Sequence, residues 1–135
     1  MSTLAPRFQI TSDDIDTVMR RFYARIRAHE VLGPIFAAHV SEWPEHEAKI
    51  GRFWKKAILH EDGYSGNPMM THMGVAQMRA HHFDIWLGLF DEVLTETLAP
   101  TPATSFSALA HRIGRGLRLG IEDRDKPKGT VPIFT

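Results

Sequence analysis

The amino-acid sequence predicts an all-α fold. Apolar side chains recur every three to four residues in four long segments, which is the spacing of a helix with one buried face. No segment alternates apolar and polar residues over the length of a strand, and no internal repeat is visible. Proline and glycine separate the apolar segments, as expected where one helix ends and another begins.

The first helix is predicted from its acidic start. Ser12 is a suitable cap, and Asp13 and Asp14 follow it in the first turn, where carboxylates offset the helix dipole. We predict a helix from about residue 13 to about residue 29. Its apolar face comprises Ile15, Val18, Met19, Phe22 and Ile26.

Two further helical segments are predicted before residue 60. Gly33 and Pro34 interrupt the first pattern, so a short turn or second helix follows them. Ser41 is then expected to open a longer helix, with Pro44 tolerated in its first turn. One histidine lies on the apolar face of this helix, which comprises His46, Ile50, Phe53 and Ala57.

The next part of the chain alternates between a loop and helices. Residues 61–68 are rich in turn-forming residues and predict a loop, and residues 69–74 leave room for one or two helical turns that carry His72. A long helix is predicted over about residues 76–98, before Pro100. Its apolar stripe comprises Phe83, Trp86, Phe90, Val93 and Leu94.

A last helix is predicted after a second proline signal. Thr101 and Pro102 suit its cap and first position, and we expect it to end near Gly120. Residues 122–135 are polar and contain proline and glycine, so we predict a loose tail. The length of 135 residues predicts a single domain over residues 1–135, with its core at about residues 12–121.

The charge balance argues against a nucleic-acid partner, and the lack of long apolar runs argues against a membrane partner. Sixteen basic residues balance sixteen acidic ones, and no basic run offers a track for phosphates, so we expect no nucleic-acid partner. No apolar run approaches the roughly 20 residues that a membrane span requires, and the start of the chain lacks a leader pattern. We therefore expect a cytoplasmic protein without a membrane partner.

His46 and His72 together suggest a cofactor site that neither histidine indicates by itself. By itself, His46 fits a buried core imidazole, and His72 fits a solvated loop residue. A helix, a loop and a short segment can nevertheless present both imidazoles to opposite sides of one flat cofactor. Haem iron requires an imidazole on one side and a shielded position on the other. Tyr23 and Trp86 could supply hydrogen-bond donors to a ligand, or they could be ordinary core residues with one polar atom.

Other metal chemistry is disfavoured by the spacing of the ligands. The chain has no cysteine, so iron–sulfur clusters, thiolate sites and covalent haem attachment are excluded. Three His-Glu pairs begin a zinc-protease motif without completing it, and no histidine has an acidic residue three positions before it, as a di-iron bundle would require. Neighbouring His81 and His82 diverge by about 100 degrees on a helix, so we expect one or both to face solvent.

Several short motifs resemble the truncated haemoglobins, and within them group III. The motifs span nearly the whole predicted core, and the Phe-Trp pair followed by Gly-Asn-Pro and an isolated histidine is the most specific. The matching residues are Phe22-Tyr23, Leu32-Gly-Pro-Ile-Phe36, Trp43-Pro-Glu-His46, Lys49-Ile50-Gly51, Phe53-Trp54, Gly66-Asn-Pro68, His72 and His82-Phe83-Asp-Ile-Trp86-Leu87.

The resemblance implies a two-over-two helical sandwich around haem b. It assigns His72 as the proximal iron ligand and Tyr23 as the distal tyrosine that hydrogen-bonds bound oxygen. Trp86 matches a pocket tryptophan that can donate its indole N–H, and His46 matches a distal histidine that can swing to gate access. Phe36 matches a side chain that wedges against the ring. The distal wall implied by the resemblance comprises Ile50, Phe53 and Trp54.

The implied function is the binding of O2, NO, CO or similar ligands at ferrous iron. Strong donors suit redox chemistry or detoxification of NO or peroxide, with an electron donor or reductase as partner, better than oxygen delivery. A non-enzymatic oxygen binder or gas sensor is the alternative within this family, and a cofactor-free helical interaction domain is the alternative outside it. Lys55 and Lys56 stand where group II proteins carry a Gly-Gly pair, which favours group III.

Overall fold

The computed structural model describes residues 5–64 and 78–126, and this part of the chain contains five α-helices and no strand. The predicted all-α class is confirmed. The helices are α1 (Ser12–Ala28), α2 (Leu32–Ala37), α3 (Trp43–Leu59), α4 (His82–Thr97) and α5 (Pro100–Arg124).

Helix α1 begins with a capping box. The Thr11 hydroxyl oxygen accepts a hydrogen bond from the Asp14 backbone N–H at 3.0 Å, and the Asp14 carboxylate accepts one from the Thr11 N–H at 3.2 Å. The predicted cap, Ser12, is therefore wrong by one residue. The reason is that Thr11 has an acidic residue three positions later, which satisfies two otherwise unpaired N–H groups reciprocally.

Helix α2 packs closely against the end of α1. A Cβ atom placed on Gly33 would lie 2.9 Å from the carbonyl oxygen of Arg27, so the absence of a side chain allows this approach. The Gly33 N–H donates to the carbonyl oxygen of His29 at 2.9 Å. Of the two predicted alternatives, a turn or a helix, the structure has the helix.

Helix α3 begins after Glu42, two residues later than the predicted opening at Ser41. Pro44 lies in its first turn, as predicted, where a proline removes no helical hydrogen bond. The helix ends at Leu59, and the capping residue His60 adopts the left-handed backbone conformation with φ of 61 degrees.

Helix α4 begins later than predicted. The sequence pattern places its start near residue 76, but residues 78–81 are not helical and α4 begins at His82. The Arg79 backbone N–H donates to the Nδ1 atom of His82 at 2.9 Å. This local side-chain bond replaces a helical hydrogen bond and ends the helical pattern on its N-terminal side.

Helix α5 includes residues 122–124, where the sequence predicts a loose tail. Ile121 is fully buried against Met78 and Phe83, and this contact holds the last turns of the helix in place. The predicted loose tail was therefore wrong for residues 122–124, because the apolar stripe of the helix continues past Gly120 to Ile121. Residues 127–135 lie outside the described part.

The helices pack in two pairs. Helix α1 packs against α3, and α4 packs against α5, while contacts between α1 and α4 join the pairs and α2 rests on α1. This is the predicted two-over-two arrangement. The largest fully buried side chains at the centre are Trp54, Phe22, Phe90 and Phe106. Burying one such side chain contributes on the order of 1.5 to 3 kcal/mol to folding. None of the described helices has a segment long and apolar enough to span a bilayer.

Candidate functional site

A cavity of about 270 Å³ lies among the helices and is the candidate site. This volume is near the lower end of the range of ligand pockets, which is roughly 300 to 1,000 Å³. Its lining is largely apolar and draws residues from all five described helices. The lining side chains with a polar atom include Tyr23, His39, His46, Lys49, Trp54, Tyr64 and Trp86.

Seven of the predicted site residues line this one cavity. They come from four helices and are separated by up to 63 positions in the chain, so the fold is what brings them together. They are Tyr23, Phe36, His46, Ile50, Phe53, Trp54 and Trp86. The eighth predicted residue, His72, lies outside the described residues.

Local helical geometry explains why these particular residues face the cavity. Phe22 and Tyr23 are consecutive, and the turn of about 100 degrees between them lets Phe22 enter the core while Tyr23 reaches the cavity. On α3, His46, Ile50 and Phe53 follow the three-to-four-residue spacing of one helix face. All three line the cavity, as their spacing predicts.

Tyr23 lies in an enclosed aromatic setting. Only 3% of its surface is exposed, and its ring meets the ring of His46 edge to face, with centroids 4.9 Å apart. Phe36 and Trp43 also contact the Tyr23 ring, with centroids 6.3 and 6.2 Å away. Burial raises the pKa of Tyr23 well above its ordinary value, and the nearby charge of Glu47 adds to the rise. The phenol is therefore neutral and retains its proton as a donor.

The outer side of the Tyr23–His46 pair carries a small charged cluster. The guanidinium of Arg27 lies 5.2 Å from the centre of the Trp43 ring and 3.8 Å from the Glu47 carboxylate. The Arg27 Nε–H also donates to the backbone carbonyl oxygen of Tyr23 at 3.3 Å. One side chain of α1 therefore contacts two residues in the first turns of α3.

The two cavity tryptophans share a phenylalanine as stacking partner. Phe90 stacks on Trp86 with centroids 5.1 Å apart and planes 14 degrees apart, and on Trp54 at 5.7 Å and 19 degrees. Phe22 meets Trp86 edge to face at 5.1 Å. Aromatic pairs of this kind contribute roughly 0.5 to 1.5 kcal/mol beyond area burial, so the orientations of both indoles are set by packing.

The Trp54 indole nitrogen is buried and has no hydrogen-bond partner among the described residues. Leaving a buried donor without an acceptor costs about 1 to 3 kcal/mol, and such groups are uncommon in native proteins. Phe53 and Phe106 meet this indole edge to face, at 4.9 and 5.0 Å. The indole therefore has little freedom to turn toward another acceptor.

Several lining residues were not predicted as site residues. Ile113 and Leu117 of α5 lie four positions apart on an apolar stripe, a signal that predicts burial but does not distinguish a cavity wall from core. Lys49, three positions after His46, could have been found from the same helix face. No sequence signal indicates Tyr64, which follows the helix in the loop and contacts Phe53 at 5.4 Å.

The His81–His82 pair lies apart from this cavity. His81 is exposed, as expected for at least one of the pair, and His82 is only 7% exposed. Burial lowers the pKa of His82, and His81 and Arg79 lower it further. Within the described ranges, no group of three or more acidic, histidine or cysteine side chains is arranged to hold a metal ion.

Comparison with known proteins places the chain in a family. Residues 10–113 match the family described as bacterial-like globin. The chain belongs to the bacterial-like globins. A curated relative of this globin, the group 3 truncated hemoglobin ctb of Campylobacter jejuni, is 39% identical over 89 residues, which are 63% of this chain and 70% of the relative.

A solved structure supports the same assignment. The crystal structure of a group III truncated hemoglobin from Campylobacter jejuni superposes on this globin with a TM-score of 0.81. The match is 30% identical and covers 87% of this chain and 95% of the other. The group III resemblance predicted from the motifs is confirmed, and membership of the globins implies haem-based binding of gaseous ligands.

The cavity residues fit the haem that family membership implies. A porphyrin is flat and largely apolar, and Phe36, Ile50 and Phe53 offer apolar walls to such a ring. Tyr23 and Trp86 add polar hydrogens in an enclosed place, which suits a small ligand beside the ring. The chemistry of the lining is therefore that of a haem pocket with polar groups for a ligand.

Proposed function

We propose that this globin binds haem b non-covalently in the described cavity and that His72 would ligate its iron. We further propose that Tyr23, Trp86 and His46 act on a diatomic ligand such as O2, NO or CO. One observation carries the proposal: these three polar side chains, from three different helices, line one largely apolar cavity. The absence of cysteine requires that the haem be held without thioether bonds.

The walls of the cavity would hold the ring by shape. Phe36, Ile50, Phe53 and Trp54 come from two helices that each pack on α1, so their positions are set by the α1–α2 and α1–α3 contacts. When bound, haem supplies an iron coordination position for a diatomic ligand and one-electron redox chemistry. His72 would supply an imidazole ligand, and the residues that line the cavity would supply the enclosure and the hydrogen-bond donors.

The state of Tyr23 supports its role as a donor. Its raised pKa keeps the phenol protonated at physiological pH, and its burial excludes water that would compete for the hydrogen bond. In such surroundings a hydrogen bond to a charged or strongly polar acceptor is worth about 1.5 to 3 kcal/mol. Each donor can therefore slow ligand release by roughly 10- to 150-fold.

Strong retention of a bound ligand favours a reaction of that ligand over oxygen delivery. A ligand held by two donors leaves too slowly for efficient transport, whereas slow release gives time for a reaction with NO or peroxide. We therefore propose an oxidoreductase role of the NO dioxygenase or peroxidase type, supported by an electron-donor protein. The competing role is oxygen binding or sensing without turnover. Consumption of NO by the oxygenated protein with a reductant present distinguishes the two, since a sensor consumes at most one equivalent.

The haem proposal is tested by absorption spectroscopy. The purified protein, reduced with dithionite, is expected to show a Soret band that shifts when CO is added. The variant His72→Ala is expected to lose stable haem binding, while the control His60→Asn keeps it, because asparagine tolerates the left-handed backbone at that position. A normal spectrum in His72→Ala would reject the axial assignment. No Soret band after reconstitution with haem would reject the haem site in this protein.

A further inference from the structure

Arg27 makes three contacts at the point where α1 and α3 meet beside the cavity. Its guanidinium covers the Trp43 ring, pairs with Glu47, and through Nε donates to the carbonyl oxygen of Tyr23. Trp43 and Glu47 lie in the first turns of α3, on either side of His46. The Arg27 side chain is therefore attached to the helical turn that carries a cavity histidine.

One partner of Arg27, Trp43, is itself in contact with Tyr23 and His46. The Trp43 ring lies 6.0 Å from the His46 ring and 6.2 Å from the Tyr23 ring, measured between centroids. Glu47 is mostly buried, with 16% of its side chain exposed, whereas 43% of the Arg27 side chain is exposed. A partly buried carboxylate depends more on its cation than a surface carboxylate does, because fewer water molecules solvate it.

The cluster does not line the cavity; its Trp43 ring contacts two residues that do, Tyr23 and His46, and the contacts that Arg27 makes in it can open. Arg27 is partly solvated, so its ion pair and cation–π contact are individually weak and can break without unfolding either helix. Movement of the His46 turn away from Tyr23 requires the Arg27–Glu47 and Arg27–Trp43 contacts to separate, since they join the same two helices. The buried residues of α3 lie further along the helix, at Gly51, Trp54 and Ile58.

We propose that Arg27 is a positioning residue that controls access of ligands to the cavity. With Trp43 and Glu47 it holds the first turns of α3 against α1, and its release lets the His46 turn move and opens the path past Tyr23. This inference rests on the proposed function, because it concerns how a small ligand reaches the haem pocket. Arg27 lies outside the cavity lining, and its charge sets the rate at which a ligand enters the cavity.

Ligand kinetics test the inference. In Arg27→Gln the association and dissociation rates of CO are expected to rise together, by roughly 3- to 10-fold, with an unchanged equilibrium constant. Glu47→Gln is expected to give a smaller rise, because the contact with Trp43 remains. Arg27→Lys is expected to restore part of the slow access, since it keeps the charge without the bond from Nε. The matched control is Arg25→Gln, which removes another arginine of α1 that pairs with Glu92 and Glu96 on α4.

Ionic strength provides a signature that a purely structural role would not produce. Access in the unmodified protein is expected to accelerate as salt screens the Arg27–Glu47 pair, whereas access in Arg27→Gln is expected to be independent of salt. If Arg27→Gln and Arg25→Gln give the same CO rates and the same salt dependence as the unmodified protein, the inference is wrong. A change in the CO equilibrium constant without a change in the association rate also overturns it.

Hydrogen exchange separates this inference from the haem proposal. In Arg27→Gln, amide protons in the first turns of α3 are expected to exchange faster, while those of α5 keep their protection. This measurement does not depend on the presence of a ligand. Faster exchange in a protein that binds no haem would support the contact and reject the proposed function. Unchanged exchange in a protein that binds haem and CO would reject the inference alone.

Discussion

Tyr23 and His46 meet edge to face in the cavity, with ring centroids 4.9 Å apart and planes 85 degrees apart. The pair joins α1 to α3, and Phe36 of α2 contacts both rings. Any displacement of the His46 ring therefore changes the surroundings of the Tyr23 ring. Both residues line the cavity, which makes the pair the most informative target for substitution.

We predict that Tyr23→Phe increases the rate of O2 dissociation by roughly 10- to 150-fold, because the variant lacks one buried hydrogen-bond donor. The measurement is stopped-flow displacement of O2 by CO. Tyr64→Phe is the control, since Tyr64 lines the same cavity and belongs to the loop after α3. Equal rates in Tyr23→Phe and the unmodified protein would remove Tyr23 from the proposed function.

The buried phenol predicts a loss of stability in alkali. Because the pKa of Tyr23 is raised in the folded protein, its stabilising contribution is complete below the ordinary tyrosine pKa of about 10 and is lost as pH rises above that value. The free energy of unfolding is expected to fall by up to about 1.4 kcal/mol per pH unit from this group. Urea unfolding between about pH 9 and about pH 11, a range that brackets the ordinary tyrosine pKa, measures how the free energy of unfolding depends on pH.

Two variants check this alkaline prediction. The slope is expected to be smaller in Tyr23→Phe, which cannot ionise at this position, than in Tyr64→Phe, which keeps the buried Tyr23 phenol. Lysine side chains ordinarily have pKa values in this range, so the difference in slope between the two variants is the informative quantity. Identical slopes in both variants would show that Tyr23 ionises in the folded protein as it does in the unfolded chain.

His82 predicts a loss of stability in acid. Its folded pKa is lowered by burial and by His81 and Arg79, so its contribution is complete above the ordinary histidine pKa of about 6.5 and is lost as pH falls below it. His82→Asn keeps an acceptor for the Arg79 N–H and cannot titrate. We expect a weaker dependence of unfolding free energy on pH between about 5 and 7 in this variant. The comparison variant is His60→Asn, which removes a different histidine and keeps His82.

Two glycines predict opposite effects of the same substitution. Gly33→Ala is expected to destabilise the protein by about 1 to 3 kcal/mol, because the new Cβ atom would lie 2.9 Å from the Arg27 carbonyl oxygen. Gly88→Ala is expected to stabilise it by about 0.5 to 1 kcal/mol, since nothing lies within 4 Å and alanine favours the helix. Chemical denaturation of both variants tests the pair, and a stabilised Gly33→Ala would contradict the close approach of α2 to α1.

The sequence alone was informative where spacing carries the signal. Apolar residues every three to four positions predicted the four long helices, and the same spacing placed His46, Ile50 and Phe53 on one face. The ends of helices were less predictable. The start of α4 depends on a bond from Arg79 to His82, and such local bonds compete with helical hydrogen bonds without leaving a periodic pattern.

Helical periodicity and short motifs predicted the fold class, the group III assignment and the identity of seven cavity residues, because each motif depends on the order of residues along its own segment. The tertiary structure alone decided which segments meet. Tyr23 reaches His46, and Arg27 reaches Trp43 and Glu47, only because α1 packs against α3. These contacts join residues distant in sequence, and packing rather than local propensity selects them.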